Sequence, residues 1–574
     1  YPNPRCSQIL DFIKSKKFLS FIIDEKYDGN KLAVKDLSSL LTTITSCNPA
    51  LGVTVMVPNS LGPGELIQKY GTEFQKNKYL RGLSCGHYIP CFGLTGPNNG
   101  SDAIGSIDTG KVVEKDGKKV ITVTLNKRYI TLSPISNLVG LAFNLTDPDN
   151  LLQDGEEGVT VALIESDHKG LKKHTHHNPM NAGFPNGTIK GTVDIELDQI
   201  IGGEKNAGNG WKMLMECLAD GRAVCLPSTA LASSKVATYG IINYSKHRKQ
   251  FNIPIIKMEG VSNKIVDMMY NTWVIQSSVH FTNYLLDLGE KPSVISAIMK
   301  QQTTDRSRLV VNDAMDIHGG GGICLGYSNF LEKFYRCVPI GITVEGSNTL
   351  TKNLIIFGQG LNKSHPHIFN LYQSIMNDDK KSFNSNLILM AKHTAKLYVK
   401  SFNPVKTNNN LLERQTVNFA LLVNFVALKA GSLKKDQYLS SHMADIFSNL
   451  YLAYCVRWYN ETNNISNKLT EYCISRLLNE NQQKINTILD NYKYLKIPLF
   501  HLKTKIQNEN FDEKRQILDE ILQNDKIIDY VKEDIYVKNT ILQDLEDLNN
   551  LNQNSIDYKY MRDRVTNVGE FRNF

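Results

Sequence analysis

Apolar residues in the first part of the chain recur at helical spacing. Ile9, Leu10, Phe12 and Ile13 mark one face, then Leu32, Leu40 and Leu41, then Leu66, Ile67 and Tyr70, with Gly and Pro between the runs. This predicts helices over residues 8–85. At Tyr88 the period shortens to two. Short β-branched runs follow, among them Val120–Thr124, Val159–Ile164 and Thr192–Ile195, with turn signals at Pro97–Gly100, Asp116-Gly117 and Asn186-Gly187. From Gly210 long helical runs return: Trp211–Leu226, Ser233–His247, Ile265–Asp287, Pro292–Asp316 and Ser347–Phe357. Few turns interrupt them, as in an up-down bundle. Beyond Gly360 the helical pattern continues. Leu421–Leu428 and Ile446–Ala453 have the spacing of buried faces, whereas 505–555 is charged with Ile and Leu at helical spacing and reads as a helical pair lying on the surface. The chain is thus mainly α with a central β domain. Its regions are a helical N-terminal domain (1–87), an antiparallel β domain (88–200), a helical bundle (201–360) and a C-terminal helical extension (361–574).

Composition narrows the function classes. The 574 residues are 41% hydrophobic and 21% charged, with a formal charge of +8, ordinary for a soluble globular chain. No Lys/Arg block supports nucleic-acid binding. Ten cysteines without a CxxC pair argue against a disulfide framework or zinc site and for a reducing compartment. No run of eighteen apolar residues is present, so no membrane-spanning helix is expected. The absence of GxGxxG after a strand and of GxxxxGK[ST] disfavours a Rossmann dinucleotide site and a P-loop.

Candidate chemistry centres on Val344-Glu345-Gly346, which ends an apolar run downstream of Gly319–Gly322. Partial desolvation there raises a carboxylate's pKa and makes it a stronger base; the plain alternative is a solvated Glu at a helix start. The turn Cys91–Asp102, with hydroxyls at Thr95 and Ser101, suits a flat heteroaromatic ring and its phosphate, or is simply an interdomain turn. His174, His176 and His177 lack an acidic or Cys partner nearby and read as a solvated loop, so no metal is expected. Cys85-Gly86-His87 lacks a third orienting group and reads as structural.

Six segments together resemble the acyl-CoA dehydrogenases, in the family's order and near its spacing: Cys91–Asp102, Asn126–Thr131, Leu218–Arg222, Arg248–Phe251, Asp316–Gly320 and Glu345-Gly346. The large bacterial type of fatty-acid β-oxidation is the nearest resemblance, through Val57–Glu65, Tyr129–Pro134, Ile317–Gly326, Ile356–Gly360 and Ala430–Lys434. The resemblance implies an α–β–α architecture with a barrel-like middle, and FAD as cofactor. It also implies oxidation of medium- to long-chain saturated acyl-CoA to trans-2-enoyl-CoA.

Roles follow residue by residue from the resemblance. Glu345 is the expected base. Phe92, Leu94, Thr95, Ser101, Tyr129 and Thr131 are expected at the flavin. Arg248, Phe251, Asp316, Gly319 and Gly320 are expected at the FAD of a neighbouring subunit, and Ser347 and Thr349 at the helix start that holds the cofactor. Ser101, Arg222 and Gly346 are expected to meet substrate. The family's acidic residue before the turn proline is Gly96 here, its tryptophan is Tyr129 and its glutamine is Asp316. Expected partners are an electron-transferring flavoprotein or similar acceptor and a second copy of the chain, with action in the cytoplasm and peripheral contact at the inner membrane face. The family's helical domain starts earlier, so its first helix or helices are expected to be absent here. An oxidase admitting O2, and a scaffold that has lost catalysis, are the competing readings.

Overall fold

A computed structural model describes residues 4–60, 62–105, 107–173, 175–291, 293–403 and 408–566. His174, of the histidine cluster, lies outside them.

The N-terminal region is helical. Helices α1 (Val34–Cys47) and α2 (Pro49–Met56) meet at Asn48, whose side chain accepts from the amides of Ala50 and Leu51 while Pro49 opens α2. An Asn cap followed by Pro at the first helical position ends one helix and starts the next at an angle.

Eight strands form the middle: β1 (Pro90–Gly93), β2 (Thr109–Lys115), β3 (Lys118–Thr131), β4 (Leu138–Thr146), β5 (Gly158–Glu165), β6 (Leu171–Lys172), β7 (His176–His177) and β8 (Asn186–Glu196). Asp116 and Gly117, both at positive φ, turn β2 into β3 with Lys115 opposite Lys118, a two-residue hairpin. The sheet is not purely antiparallel as the pattern predicted: β4 pairs in parallel with both β1 and β2. Alternation along a strand fixes which face is buried and leaves its neighbour's direction open. Asn186-Gly187 is not a turn either. It starts β8 opposite Ile130 and Thr131, and a Cβ at Gly187 would come within 2.6 Å of the Thr175 carbonyl, so the glycine serves close backbone approach.

The bundle is built on α3 (Gly210–His247), α4 (Glu259–Asp287), α5 (Ser293–His318) and α6 (Glu332–Thr343). The two helices predicted over 211–247 are one, running through Pro227. It packs against α1, α4 and α5 and is buried on nearly every side between Ala223 and Ser245, which is how a helix without an amphipathic face is stabilised.

The extension shares this core. One apolar cluster joins Tyr239, Trp273 and Val310 of the bundle to Leu422, Ile446, Leu477, Ile521 and Leu545. The helices Phe511–Gln523, Asp525–Lys532 and Ile541–Asp547 bury Ile517, Ile521, Ile527, Val531, Leu542 and Leu545, so 505–555 does not lie loosely on the surface. Its Ile and Leu spacing is that of amphipathic helices docked on α3 and α4. The helix over 410–429 is apolar and long enough to cross a bilayer, yet it buries Leu412, Leu421, Leu422 and Val426 within the protein.

Candidate functional site

Glu345 lies in the short loop between α6 and a helix beginning at Asn348. Glu345 and Gly346 have φ of 56° and 85°. A glutamate in the left-handed region costs on the order of 1–2 kcal/mol and persists only where its surroundings impose it. Lys300 of α5 is what imposes it. Its buried ammonium donates to the carbonyls of Ile342 (3.2 Å) and Gly346 (2.7 Å) and to Asn348 Oδ1 (2.7 Å). Asn348 Nδ2 in turn donates to Thr304 Oγ1 (2.9 Å) and Asp305 Oδ1 (2.7 Å). Both sides of Glu345 are thereby tied to one helix.

The residue as a whole is half-buried, but both carboxylate oxygens are out of water and without a hydrogen-bond partner among the described residues. Burial pushes the Glu345 pKa up, and the nearby cations of Arg222 and Lys300 only partly oppose it. Arg222 Nε is itself buried and unpartnered, and its Nη2 lies 3.9 Å from where a Cβ on Gly346 would stand. A cavity opens beside the carboxylate. Thr131, Phe184, Leu226, Met56, Val338 and Gly341 are among its walls. A desolvated carboxylate with unfilled acceptors, facing an apolar cavity, is equipped to take a proton from a bound carbon acid.

Thr131, at the end of β3, is on the wall of the same cavity. Tyr129, at φ 62°, exposes its ring, which has Arg128 and His177 each 5.0 Å from its centroid. His177 is therefore packed on a strand, not in a solvated loop. Beside Tyr129, Arg128 Nε, His177 Nε2 and Asn186 Oδ1 are buried without partners among the described residues. Thr95 donates its hydroxyl to the Arg128 carbonyl and accepts the Arg128 amide on its own. Phe92 and Leu94 point their side chains into the core beneath, and the Leu94 carbonyl is taken by Lys127 Nζ (3.0 Å) and Asn99 Nδ2 (3.0 Å). Ser101 is exposed on the turn beyond. Ser347 caps the helix after the Glu345 loop, accepting the Leu350 amide, and Thr349 is exposed in its first turn.

The remaining predicted residues are elsewhere. Arg248 ends α3, twenty-six residues from Arg222, roughly 39 Å along a helix axis. Phe251 is 89% exposed at the tip of the hairpin Lys249–Gln250/Ile253–Pro254, with Phe251 and Asn252 both at positive φ. Asp316 bonds Lys264 (2.7 Å) on its own chain. Gly319 has φ 62°, and space is open beside it and Gly320. These five lie about the C-terminal ends of α3 and α5, which meet where Tyr244 touches His318, away from Glu345.

Sequence reasoning missed Lys300, Asn348 and Lys127. The available signal was a lysine inside an apolar helical stretch, Ile298-Met299-Lys300, and another in an alternating strand at an inward position. Both are 0% exposed, and a buried lysine has to be bonded to something specific.

Comparison with known proteins agrees with this arrangement. The family profiles described as acyl-CoA dehydrogenase, N-terminal domain, as acyl-CoA dehydrogenase, C-terminal domain, and as acyl-CoA dehydrogenase, C-terminal, bacterial type match residues 6–87, 208–358 and 362–572. The chain is 28% identical over 355 residues to the 3-(aryl)acrylate reductase of Clostridium sporogenes, covering 61% of this chain and 89% of that one. It is 30% identical over 300 residues to the acryloyl-CoA reductase (NADH) of Anaerotignum propionicum, covering 51% and 71%. The fold is similar to that of a Bacillus anthracis acyl-CoA dehydrogenase complexed with FAD, at a TM-score of 0.75 and 19% identity over 90% of this chain and 89% of the other. With N-terminal, C-terminal and bacterial-type profiles matched in order along most of its length, the chain belongs to the acyl-CoA dehydrogenase family of oxidoreductases.

Proposed function

We propose that this chain is an FAD-dependent acyl-CoA dehydrogenase acting on saturated acyl chains of medium to long length in β-oxidation. The observation that carries the reading is the desolvated, unpartnered Glu345 carboxylate facing an apolar cavity. The residues fit the cofactor. An exposed Tyr129 ring and the unpartnered polar atoms of Arg128, His177 and Asn186 beside Thr131 match an aromatic group rich in donors and acceptors. Tyr129, Thr131, Thr95 and the turn to Ser101 would hold it, and bound flavin supplies the two-electron acceptor for the β-hydrogen.

The chain's own part is proton chemistry and positioning. The α-proton of a thioester is weakly acidic, so the base must be strong and the bond held against it. Burial gives Glu345 that strength, and Lys300 and Asn348 fix its direction. Glu345 takes the α-proton, the β-hydrogen leaves with its electron pair as hydride, and the double bond forms between the two carbons. Apolar walls keep water from the carboxylate. The reductase relatives favour the reverse direction as a second reading, in which Glu345 returns its proton to the α-carbon. Mixing the flavin-loaded protein with octanoyl-CoA and separately with octenoyl-CoA plus a reduced dye distinguishes the two. Glu345→Gln should keep the flavin and lose its bleaching by octanoyl-CoA; bleaching at the wild-type rate sinks the assignment.

The far cluster of Arg248, Phe251, Asp316, Gly319 and Gly320 supports a homodimer in which each copy serves its neighbour's cofactor, because no part of it reaches Glu345 in its own chain. A monomer by light scattering that carries stoichiometric FAD refutes this. The extension supports contact with the inner face of the membrane. Leu387, Ile388, Val399, Phe402 and Leu428 are exposed, and Lys380, Lys381, Lys392, Lys396 and Lys400 accompany them with no acidic residue from 380 to 412. Equal sedimentation with anionic and neutral vesicles removes that element. An electron-transferring flavoprotein is the proposed acceptor, tested by substituting it for a dye.

A further inference from the structure

A second concavity lies on the extension and shares no residue with the Glu345 cavity. It is formed by α7 (Lys380–Lys400) and the end of α8 (Asn408–Val426). Leu387, Ala391, Ala395 and Val399 line it from α7 at every fourth position, so one stripe of that helix is its wall. Phe425 and Leu428 line it from the end of α8 and the turn beyond. The groove holds about 550 Å³, within the ~300–1,000 Å³ of small-molecule sites. From Leu387 to Val399 is twelve positions, roughly 18 Å along a helix axis, a length that holds roughly fourteen extended carbons at ordinary C–C bond lengths.

The walls call for an apolar occupant. Val399 and Leu428 are 72% and 77% exposed, so no described residue covers the rims. Asn424 and Thr394, which also line the groove, are already bonded. Asn424 Nδ2 donates to Thr394 Oγ1 (2.9 Å), Thr394 Oγ1 to the Met390 carbonyl (2.8 Å), and His365 Nε2 meets Asn424 Oδ1 (2.6 Å). One rim is cationic. Lys392, Lys396 and Lys400 each follow a wall residue by one position, stand one turn apart in a row, and are exposed. None of the three is in an ion pair among the described residues, and no acidic residue occurs from 380 to 412. A two-fold contact through this face would set one lysine row against another, which disfavours a second copy. A flat bilayer surface would meet the rims and leave the slot unfilled. A single apolar tail with an acidic head satisfies both the walls and the rim.

We propose that this groove binds one long-chain fatty anion, its tail along α7 and its acid group beside Lys392, Lys396 and Lys400. The site goes beyond the membrane contact proposed for this face and does not depend on it. The full chain loaded with FAD is titrated calorimetrically, below the micelle concentration of each probe, with hexadecanoate, dodecanoate and the neutral hexadecyl maltoside. Each buried methylene is worth about fourfold in affinity, so dodecanoate should bind at least tenfold more weakly than hexadecanoate. Ala395→Trp plugs the groove from an exposed position and should weaken hexadecanoate at least tenfold. Lys392, Lys396 and Lys400 changed together to Gln should weaken hexadecanoate several-fold and leave the maltoside unmoved, and high salt should do the same.

Hexadecanoate lodged in the Glu345 cavity instead predicts a Kd that the plug does not move, which overturns the proposal. So does a maltoside that binds as tightly as hexadecanoate, since the lysines then select nothing. An oligomer that Ala395→Trp dissociates in the absence of fatty acid, seen by sedimentation velocity, places a second copy in the groove and overturns it as well. Sedimentation with anionic vesicles that the plug abolishes, with no binding of hexadecanoate in solution, assigns the groove to bilayer lipid and has the same effect. Should Ala395→Trp fail to melt cooperatively, Ala391→Trp takes its place, and the wild-type preference for hexadecanoate over the maltoside decides if both fail. Turnover of octanoyl-CoA should be untouched by either plug, so this inference and the dehydrogenase reading stand or fall separately.

Discussion

Replacing Lys300 with methionine separates how the base loop is held from how the protein as a whole is held. The ammonium serves three acceptors, the carbonyls of Ile342 and Gly346 and Asn348 Oδ1. Each left buried and unpaired costs about 1–3 kcal/mol. Against this, burial pushes the Lys300 pKa from its usual 10.5 down to about 8, so keeping it charged costs the fold roughly 3 kcal/mol. Methionine fills nearly the same volume, so little is added for a cavity. The three acceptors together cost about 3–9 kcal/mol, so the saving offsets part of the loss, and in a protein of this size the melting temperature at neutral pH should fall by only a few degrees. The loop is a different matter. Glu345 and Gly346 sit at positive φ because they are pinned, and a released loop relaxes and carries the carboxylate with it. A misplacement on the order of 1 Å costs about a hundredfold in rate.

The pH profile adds a second readout. Lys300 opposes the burial that raises the Glu345 pKa, so its loss raises that pKa further and moves the acid limb of kcat/KM to higher pH. Asn348→Ala removes one of the three Lys300 bonds and the bonds from Asn348 to Thr304 and Asp305, but no charge, and should lower kcat without moving the limb. Profiles with a dye acceptor between about pH 5 and 9, with infrared titration of the carboxyl against Glu345→Gln as blank, measure both effects. A Lys300→Met protein with kcat/KM within threefold of wild type and an unmoved acid limb would refute the reasoning.

Three further outcomes are expected. Folding raises the Glu345 pKa from its usual 4.5, so the folded state holds that proton more tightly and stability falls as pH rises above 4.5; Glu345→Gln should therefore melt higher than wild type at neutral pH, an advantage that vanishes below about pH 4.5. His318, wedged between the rings of Tyr244 and Phe330 with neither nitrogen bonded, is pushed down by burial from 6.5 to about 4. The unfolded chain thus binds the extra proton first, and roughly 3 kcal/mol of stability should disappear between those pH values; denaturant melts of His318→Leu should lack this fall. Truncation after residue 362 strips the shared core from Trp273, Tyr270 and Tyr239, and removes Asp445, which Lys352 and Lys484 both bond at 2.8 Å. The truncated chain should lose its cooperative calorimetric transition, and a folded, active product would show instead that the extension is separable.

The hydrophobic pattern alone determined the order of helical and β regions, because periods of 3.6 and 2 are local properties of the backbone. It located the hairpin at Asp116-Gly117, where positive φ restricts the choice of residue. It also singled out Glu345, since a lone carboxylate ending an apolar run followed by glycine is legible without coordinates. What it could not decide was direction and company. Whether β4 runs parallel to its neighbours, whether 211–247 is one helix or two, and whether the Ile and Leu of 511–545 meet solvent or the bundle all depend on which surface is opposite. Tertiary structure alone brought Lys300 to both sides of Glu345. It also carried Arg248 and Asp316 away to the far end of the same long helices. Those residues are hundreds of positions apart or hidden in apolar stretches, and only close packing decides which buried polar atoms find a partner and which are left for a ligand.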